Sequence, residues 1–446
     1  MTEFQVMLTL VVFATVIVAI AFDIVDMAVA ALLGVSVLLA VGILDSADVM
    51  AGIDAGSGPL LLLAGGMIVA QTLGSTGIFD RISTGYLVAT RGSGKRFLLL
   101  LIVLVAPLCA LLPNATTVVL IAPVIVRVAK ALDIDIVKPL ILTAIVSNSA
   151  GLLTLVGDPA TFIVGHAIGM SFGEYLKRVS LGGLLSIATV MTLMPLLMRD
   201  IWRVQRALPA VPAAQQLERP GFAIASVALL VGMIALFIFG EDLPTKIVPP
   251  ETAFIAGSIA LLAISAVHVS SVDTVMRELD WRTLVFLACT FCLVQAVTNT
   301  GLLQTASLQL YEWFGAELKA VSMTLLAGVG LLSSVLANTP VVAASITMVK
   351  GYLVAAEVVP EAALSHGFDA WPLATLPVFV AMMFAGTLGG NATLIGAAAN
   401  LAAIGVAARH GAKVTFMTWL RLGLPMTLAQ LAVSALYVMA LFALFG

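Results

Sequence analysis

Asn114, with Thr116 and Thr117, and Asn338, with Thr339, place side-chain amides and hydroxyls inside runs that are otherwise apolar. Such groups bind a polar solute through neutral hydrogen bonds. At membrane depth they are tolerated only where protein or a water-filled cavity surrounds them. Asn148, Asn391 and Thr393 stand beside further breaks of the same kind. Asp158, in Gly157-Asp158-Pro159, is the one acid within a deep break. An ionised Asp at the bilayer centre costs about 2.5–3.5 kcal/mol on insertion scales, so it needs a partner or a task. Two tasks stay open. Asp followed by Pro is a good N-cap and first-turn pair for a helix, and a buried carboxylate can carry a proton or bind a cation.

The three cysteines suit two readings. Cys289 and Cys292, at i and i+3, share a helical face, and Cys109 precedes the first Asn. They are ligands for a thiophilic metalloid or small apolar residues. Their scatter fits neither a disulfide framework nor a zinc site. His166, His268, His366 and His410 are dispersed and suggest no metal centre. No His-Glu-x-x-His, Gly-x-Ser-Gly or Gly-x-x-x-x-Gly-Lys pattern occurs, which argues against an intramembrane enzyme and against ATP hydrolysis by this chain. No cofactor is expected, and coupling to protons or sodium is left open.

The elements that position these groups follow from composition. The 446 residues are 61% hydrophobic and 10% charged, with a mean hydropathy of +1.15. Soluble chains are about a quarter charged, so the main solvent for this one is lipid. The formal charge of −3 supplies no basic field for nucleic acid. The first 22 residues include Glu3 and lack a basic region and a small-residue cleavage site, which reads as a retained span.

Apolar runs long enough to cross a bilayer, roughly 17–25 residues, fall at about 5–22, 27–44, 57–78, 137–168, 180–198, 221–239, 250–267, 283–302, 373–405 and 421–445. Two more, about 97–126 and 320–349, are interrupted by Pro113 and Asn114 and by Ser333, Ser334, Asn338 and Pro340. They read as re-entrant hairpins. With both termini outside, the inner loops 79–96, 127–138, 199–220, 268–282 and 406–421 hold 16 of the 21 Lys and Arg residues, as the positive-inside rule requires.

The halves share a pattern. Gln71, Thr76, Gly77 and Asn114 match Gln295, Thr300, Gly301 and Asn338 at one offset of 224, and Thr154-Leu155-Val156-Gly157 matches Thr393-Leu394-Ile395-Gly396. The sequence therefore predicts an all-α polytopic membrane protein built as an inverted repeat. Each half has five spans and one re-entrant hairpin, with broken helices at the centre. Residues 1–198 form the first repeat, 199–220 a cytoplasmic linker and 221–446 the second repeat. Interrupted helices at matching positions are the sequence signature of a secondary transporter. Half-helix N-termini pointing at the midplane suit an anion or an oxygen-bearing solute.

The segments LLPNATTVVLIAPV with SNSAGLLTLVGDPATFIVG, and SSVLANTPVVAASI with GGNATLIGAAANLAAIGVAARHG, resemble the ion transporter superfamily, within it the branch of arsenite permeases, sodium–proton antiporters and the pigment-cell P protein. The resemblance implies a transporter of the cell (inner) membrane, a homodimer and elevator-like alternating access by a mobile region built from both hairpins and both broken spans. The usual Gly-Asp-Pro-Pro-Asn is here Gly157-Asp158-Pro159-Ala160-Thr161. Many antiporter-like relatives carry an acid before each hairpin Asn, where this chain has Pro113 and Ala337. The expectation is an arsenite or antimonite efflux permease, its partner a small inorganic oxyanion or metalloid, with a cytosolic ATPase subunit left open. The alternatives are a sodium- or proton-coupled di- or tricarboxylate or other organic anion transporter, and a sodium–proton antiporter.

Overall fold

The structure is a computed structural model that describes residues 2–21, 24–208, 217, 219–269, 271–365 and 367–445. The first half runs α1 (Glu3–Ala21), α2 (Met27–Ala40), α3 (Ser46–Gly74), α4 (Ile78–Thr90), α5 (Gly94–Cys109), α6 (Asn114–Ala131), α7 (Val137–Ala150), α8 (Pro159–Ala167), α9 (Phe172–Arg178) and α10 (Ser180–Leu197). One helical turn, α11 (Arg199–Trp202), begins the linker, of which 209–216 and 218 lie outside the described residues. The second half runs α12 (Pro220–Phe239), α13 (Pro249–Val267), α14 (Val272–Glu278), α15 (Trp281–Asn299), α16 (Leu302–Phe314), α17 (Leu318–Val335), α18 (Asn338–Ala355), α19 (Leu376–Gly389), α20 (Ala398–Arg409) and α21 (Phe416–Phe445). Among the described residues nine helices are long and apolar enough to cross a membrane.

The order of elements recurs between the halves, and so does backbone detail. Gly77 and Gly301 both adopt left-handed conformations (φ 72° and 79°) after α3 and α15. Pro113 (φ −55°, ψ 130°) and Ala337 (φ −58°, ψ 137°) lead into α6 and α18 in the same extended conformation. Asp158 and Ala397 precede α8 and α20 with nearly equal dihedrals. Local chemistry sets several starts. A capping box of Asp45 and Asp48 opens α3, so that helix begins well before the apolar run at 57. Proline occupies the first turn of α8, α12 and α13, where no intrahelical N–H bond is lost.

Two features escape a count of apolar runs. The amphipathic α4 and α16, 13 residues each, pack on the hairpin helices α6 and α18. The broken spans are deeply buried: every residue of α19, and every residue of α7 but Lys138, is buried. The halves also exchange partners. From the first half, α8 packs on α18 and α19; from the second, α20 packs on α6 and α7. This crossing brings residues of both halves to one place.

Candidate functional site

Four helices begin around one cavity of about 70 Å³. Pro113, Asn114 and Ala115 start α6, Asp158 and Pro159 start α8, Asn338 and Thr339 start α18, and Ala397, Ala398 and Ala399 start α20; all of them line it. Each start leaves backbone N–H groups without intrahelical partners and a positive end of the helix dipole. The breaks that expose these ends need close backbone approach. A Cβ on Gly157 would lie 2.9 Å from Gly151 Cα, and one on Gly396 would lie 2.5 Å from the Gly390 oxygen. Thr154 donates to the Ala110 carbonyl and Thr393 to the Ser334 carbonyl, so each break is tied to its own hairpin by the same bond.

Asp158 sits at the centre, 4% exposed. It accepts from Asn114 Nδ2 (3.4 Å), Asn338 Nδ2 (3.3 Å) and Thr387 Oγ1 (3.4 Å), and from the Ala160 backbone N–H at 3.2 Å as cap of α8. Of the two tasks read for Asp158, the cap is seen directly. The side chain caps a half-helix and also collects the amides of both hairpin tips. Asn114 Oδ1 is buried with no partner among the described residues and remains as an acceptor, while Asn338 Oδ1 accepts from Thr339 Oγ1 at 3.2 Å. Among the described residues no basic side chain lines the cavity.

The other sequence candidates divide. Asn148 lines the cavity but donates to Asn391 Oδ1 (2.9 Å) and Asn400 Oδ1 (3.1 Å). Asn391, fully buried, in turn donates to Gln430 Oε1 at 3.1 Å, and Gln430 Nε2 donates to Ser149 Oγ (2.7 Å) and Ser186 Oγ (2.8 Å). This buried network joins the two breaks to α10 and α21 and holds them in register. Thr116, Thr117, Asn391 and Thr393 are buried but are not among the lining residues.

The thiols lie elsewhere. Cys109 accepts from Ser147 Oγ at 3.0 Å behind the first tip, and Cys292 packs on Gly52 of α3. Among the described residues no group of three or more His, Cys, Asp or Glu side chains could hold a metal ion. His166 stacks on Phe162 with ring centroids 5.6 Å apart, and His410 Nδ1 contacts the Val406 carbonyl. His366 lies outside the described residues.

Apolar helices of spanning length around a buried polar site define a multi-pass membrane transporter. The chain belongs to the citrate transporter family, whose model matches residues 17–366. It is 37% identical over 428 residues to an uncharacterized transporter of Synechocystis, covering 96% of this chain and 95% of that one. It is 25% identical to the human P protein over 98% of this chain, which spans 60% of that longer protein. A solved structure, the YdaH transporter of Alcanivorax borkumensis, aligns over 89% of this chain and 87% of its own, with 14% identity and a TM-score of 0.48. The resemblance to the superfamily branch that holds the P protein is thus borne out, and the family and the Synechocystis relative are described as transporters.

Proposed function

We propose that the chain is a secondary transporter that moves a small carboxylate-bearing anion through the cavity at Asp158, coupled to protons or sodium. The observation behind this reading is the meeting of four helix N-termini around a single carboxylate. Each N-terminus is equivalent to about half a positive charge, so four contribute roughly two. Asp158 answers one of these, and a field suited to one further negative group is left. The family's description, citrate transporter, points to the same chemistry.

Arsenite or antimonite efflux is the second reading. A neutral trihydroxide would satisfy the amides of Asn114 and Asn338, but it leaves the helix ends without an anion, and the thiols do not line the cavity. A sodium–proton antiporter would rely on Asp158 alone. An inverted repeat, a homodimer and elevator-like movement of hairpins and broken spans belong to the same proposal, supported by the recurring element order and the paired backbone geometry.

The test is flux in proteoliposomes of purified protein, with acetate, succinate, citrate, arsenite and antimonite offered under imposed pH or sodium gradients. Saturable carboxylate uptake driven by one of the gradients is expected. Arsenite flux without carboxylate flux would replace the anion reading by the efflux one. Sodium–proton exchange indifferent to every carboxylate would replace it by the antiporter.

A further inference from the structure

A second cavity, about 320 Å³, lies beside the polar one. Its walls include Phe13 and Val16 of α1, Leu310 of α16, Gly328 of α17, and Ala344 and Met348 of α18. Among the described residues no charged side chain lines it. Two of its hydroxyls, those of Thr324 and Ser345, are spent on the carbonyls of Ala320 and Val341 in their own helices. Such a space receives hydrocarbon and rejects charge.

The two cavities share part of their walls. Ile20, Phe286, Ala337 and Ile395 line both. Ala337 is the residue before Asn338, so the apolar space begins where the polar tip ends. Leu332 and Val335, 52% and 48% exposed, form part of the apolar wall. A bilayer acyl chain is therefore the competing occupant. It would have no use for the polar end.

Resting on the anion reading above, we propose that the substrate is an amphipathic carboxylate. Its head lies among Asn114, Asn338 and the four helix N-termini, and its hydrocarbon tail lies in the apolar cavity between α1, α16, α17 and α18. The family's description names a compact polycarboxylate; this geometry selects a carboxylate with an apolar arm.

The experiment is calorimetric titration of straight-chain monocarboxylates, acetate through octanoate, into wild type and two variants in phosphatidylcholine nanodiscs, with empty nanodiscs as blank. Gly328→Leu points a side chain into the cavity from a position where a new Cβ meets nothing within 4 Å, and Leu is the better helix former. Ala344→Leu fills the same space from the opposite helix. Each protein's acetate affinity is the reference for its own slope.

Burying a methylene stabilises by about 0.8 kcal/mol, so wild-type affinity should rise about fourfold per added carbon. The rise should be lost in both variants. Wild-type affinity that is flat with chain length, acetate binding being retained, overturns the amphipathic substrate and leaves the anion reading standing. A slope undiminished in both variants also overturns it, because the tail then lies in lipid. Failure of every carboxylate to bind removes the anion reading itself.

Discussion

Asn338 and Asp158 stand 180 positions apart in the chain, yet Asn338 Nδ2 lies 3.3 Å from Asp158 Oδ2. The bond joins the second hairpin tip to the first broken span. Asn114, at the first tip, donates to the other carboxylate oxygen at 3.4 Å. One buried acid therefore holds both tips and carries the only formal charge among the residues lining the polar cavity. A carboxylate in this position is charge, cap and clamp together, and on the proposed reading an incoming anion competes with it for the same donors.

The first expectation follows from those donors. Removing either amide leaves the carboxylate short of one partner, a loss of about 1–3 kcal/mol. Asn114→Ala and Asn338→Ala should each lower the apparent affinity for the transported anion by roughly 5- to 100-fold, with yield in the membrane kept. Asn338→Asp should do worse than Asn338→Ala, because two carboxylates at this range cannot both ionise freely. Flux titrations at matched protein levels decide it. Unchanged half-saturation in both alanine variants would refute a shared site.

The second concerns the glycine contacts at the breaks. A Cβ on Gly396 would press on the Gly390 backbone, at 2.5 Å from its oxygen and 2.7 Å from its Cα. Backbone cannot swing aside as a side chain does, so Gly396→Ala should destabilise by about 1–3 kcal/mol and lower the apparent melting temperature. Gly405→Ala, in the same region but with nothing within 4 Å of the new Cβ, is the control and should be neutral or slightly stabilising. Equal melting of the two variants would show that the break has slack.

The central breaks were legible in the sequence because proline, glycine and asparagine inside an apolar run have few uses other than to stop a helix. Asn114, Pro159 and Asn338 are the first residues of their helices, and the constant offset of 224 pairs the two tips within the sequence itself. Thr387, Asn400 and Gln430 carry no such local signal. Each is a single polar residue in an apolar stretch, and its meaning depends on a partner far away in sequence: Asp158 for Thr387, Asn148 for Asn400, Ser149 and Ser186 for Gln430. The repeat offers one route to Thr387, which stands to Asn148 as Thr393 stands to Thr154. The amphipathic α4 and α16 were missed because they are too short and too polar to register as spans. The crossing of α8 and α20 into the opposite half was invisible, since local pattern carries no information on which neighbour a buried half-helix chooses.

Orientation is the third expectation, and it rests on the distribution of basic residues. Lys319 lies on the outer side in this reading, Arg203 and Lys413 on the inner side, and all three are exposed. Single cysteines at these positions, in a background lacking Cys109, Cys289 and Cys292, should react with an impermeant maleimide in intact cells at 319 alone. Labelling at 203 and 413 instead would reverse the orientation, and labelling at all three would break the hairpin assignment.

The last expectation separates Asp158 as a cap from Asp158 as the coupling group. Asn caps a helix as well as Asp does, so Asp158→Asn should keep α8 and insert normally. Its amide offers one oxygen where the carboxylate offered two, so the donors from Asn114, Asn338 and Thr387 can no longer all be met. It also removes the negative charge that answers half of the field from the four helix ends. The anion should therefore bind at least as tightly as in wild type, while the coupling ion proposed to enter with it has no carboxylate to neutralise. Asp158→Asn should show exchange and downhill flux without accumulation against a gradient. Uptake into proteoliposomes, with a pH gradient, a sodium gradient or neither, measures this, and the gradient that drives the wild type names the ion. If the variant accumulates substrate as the wild type does under the same gradient, Asp158 is a cap only, and the coupling ion binds elsewhere.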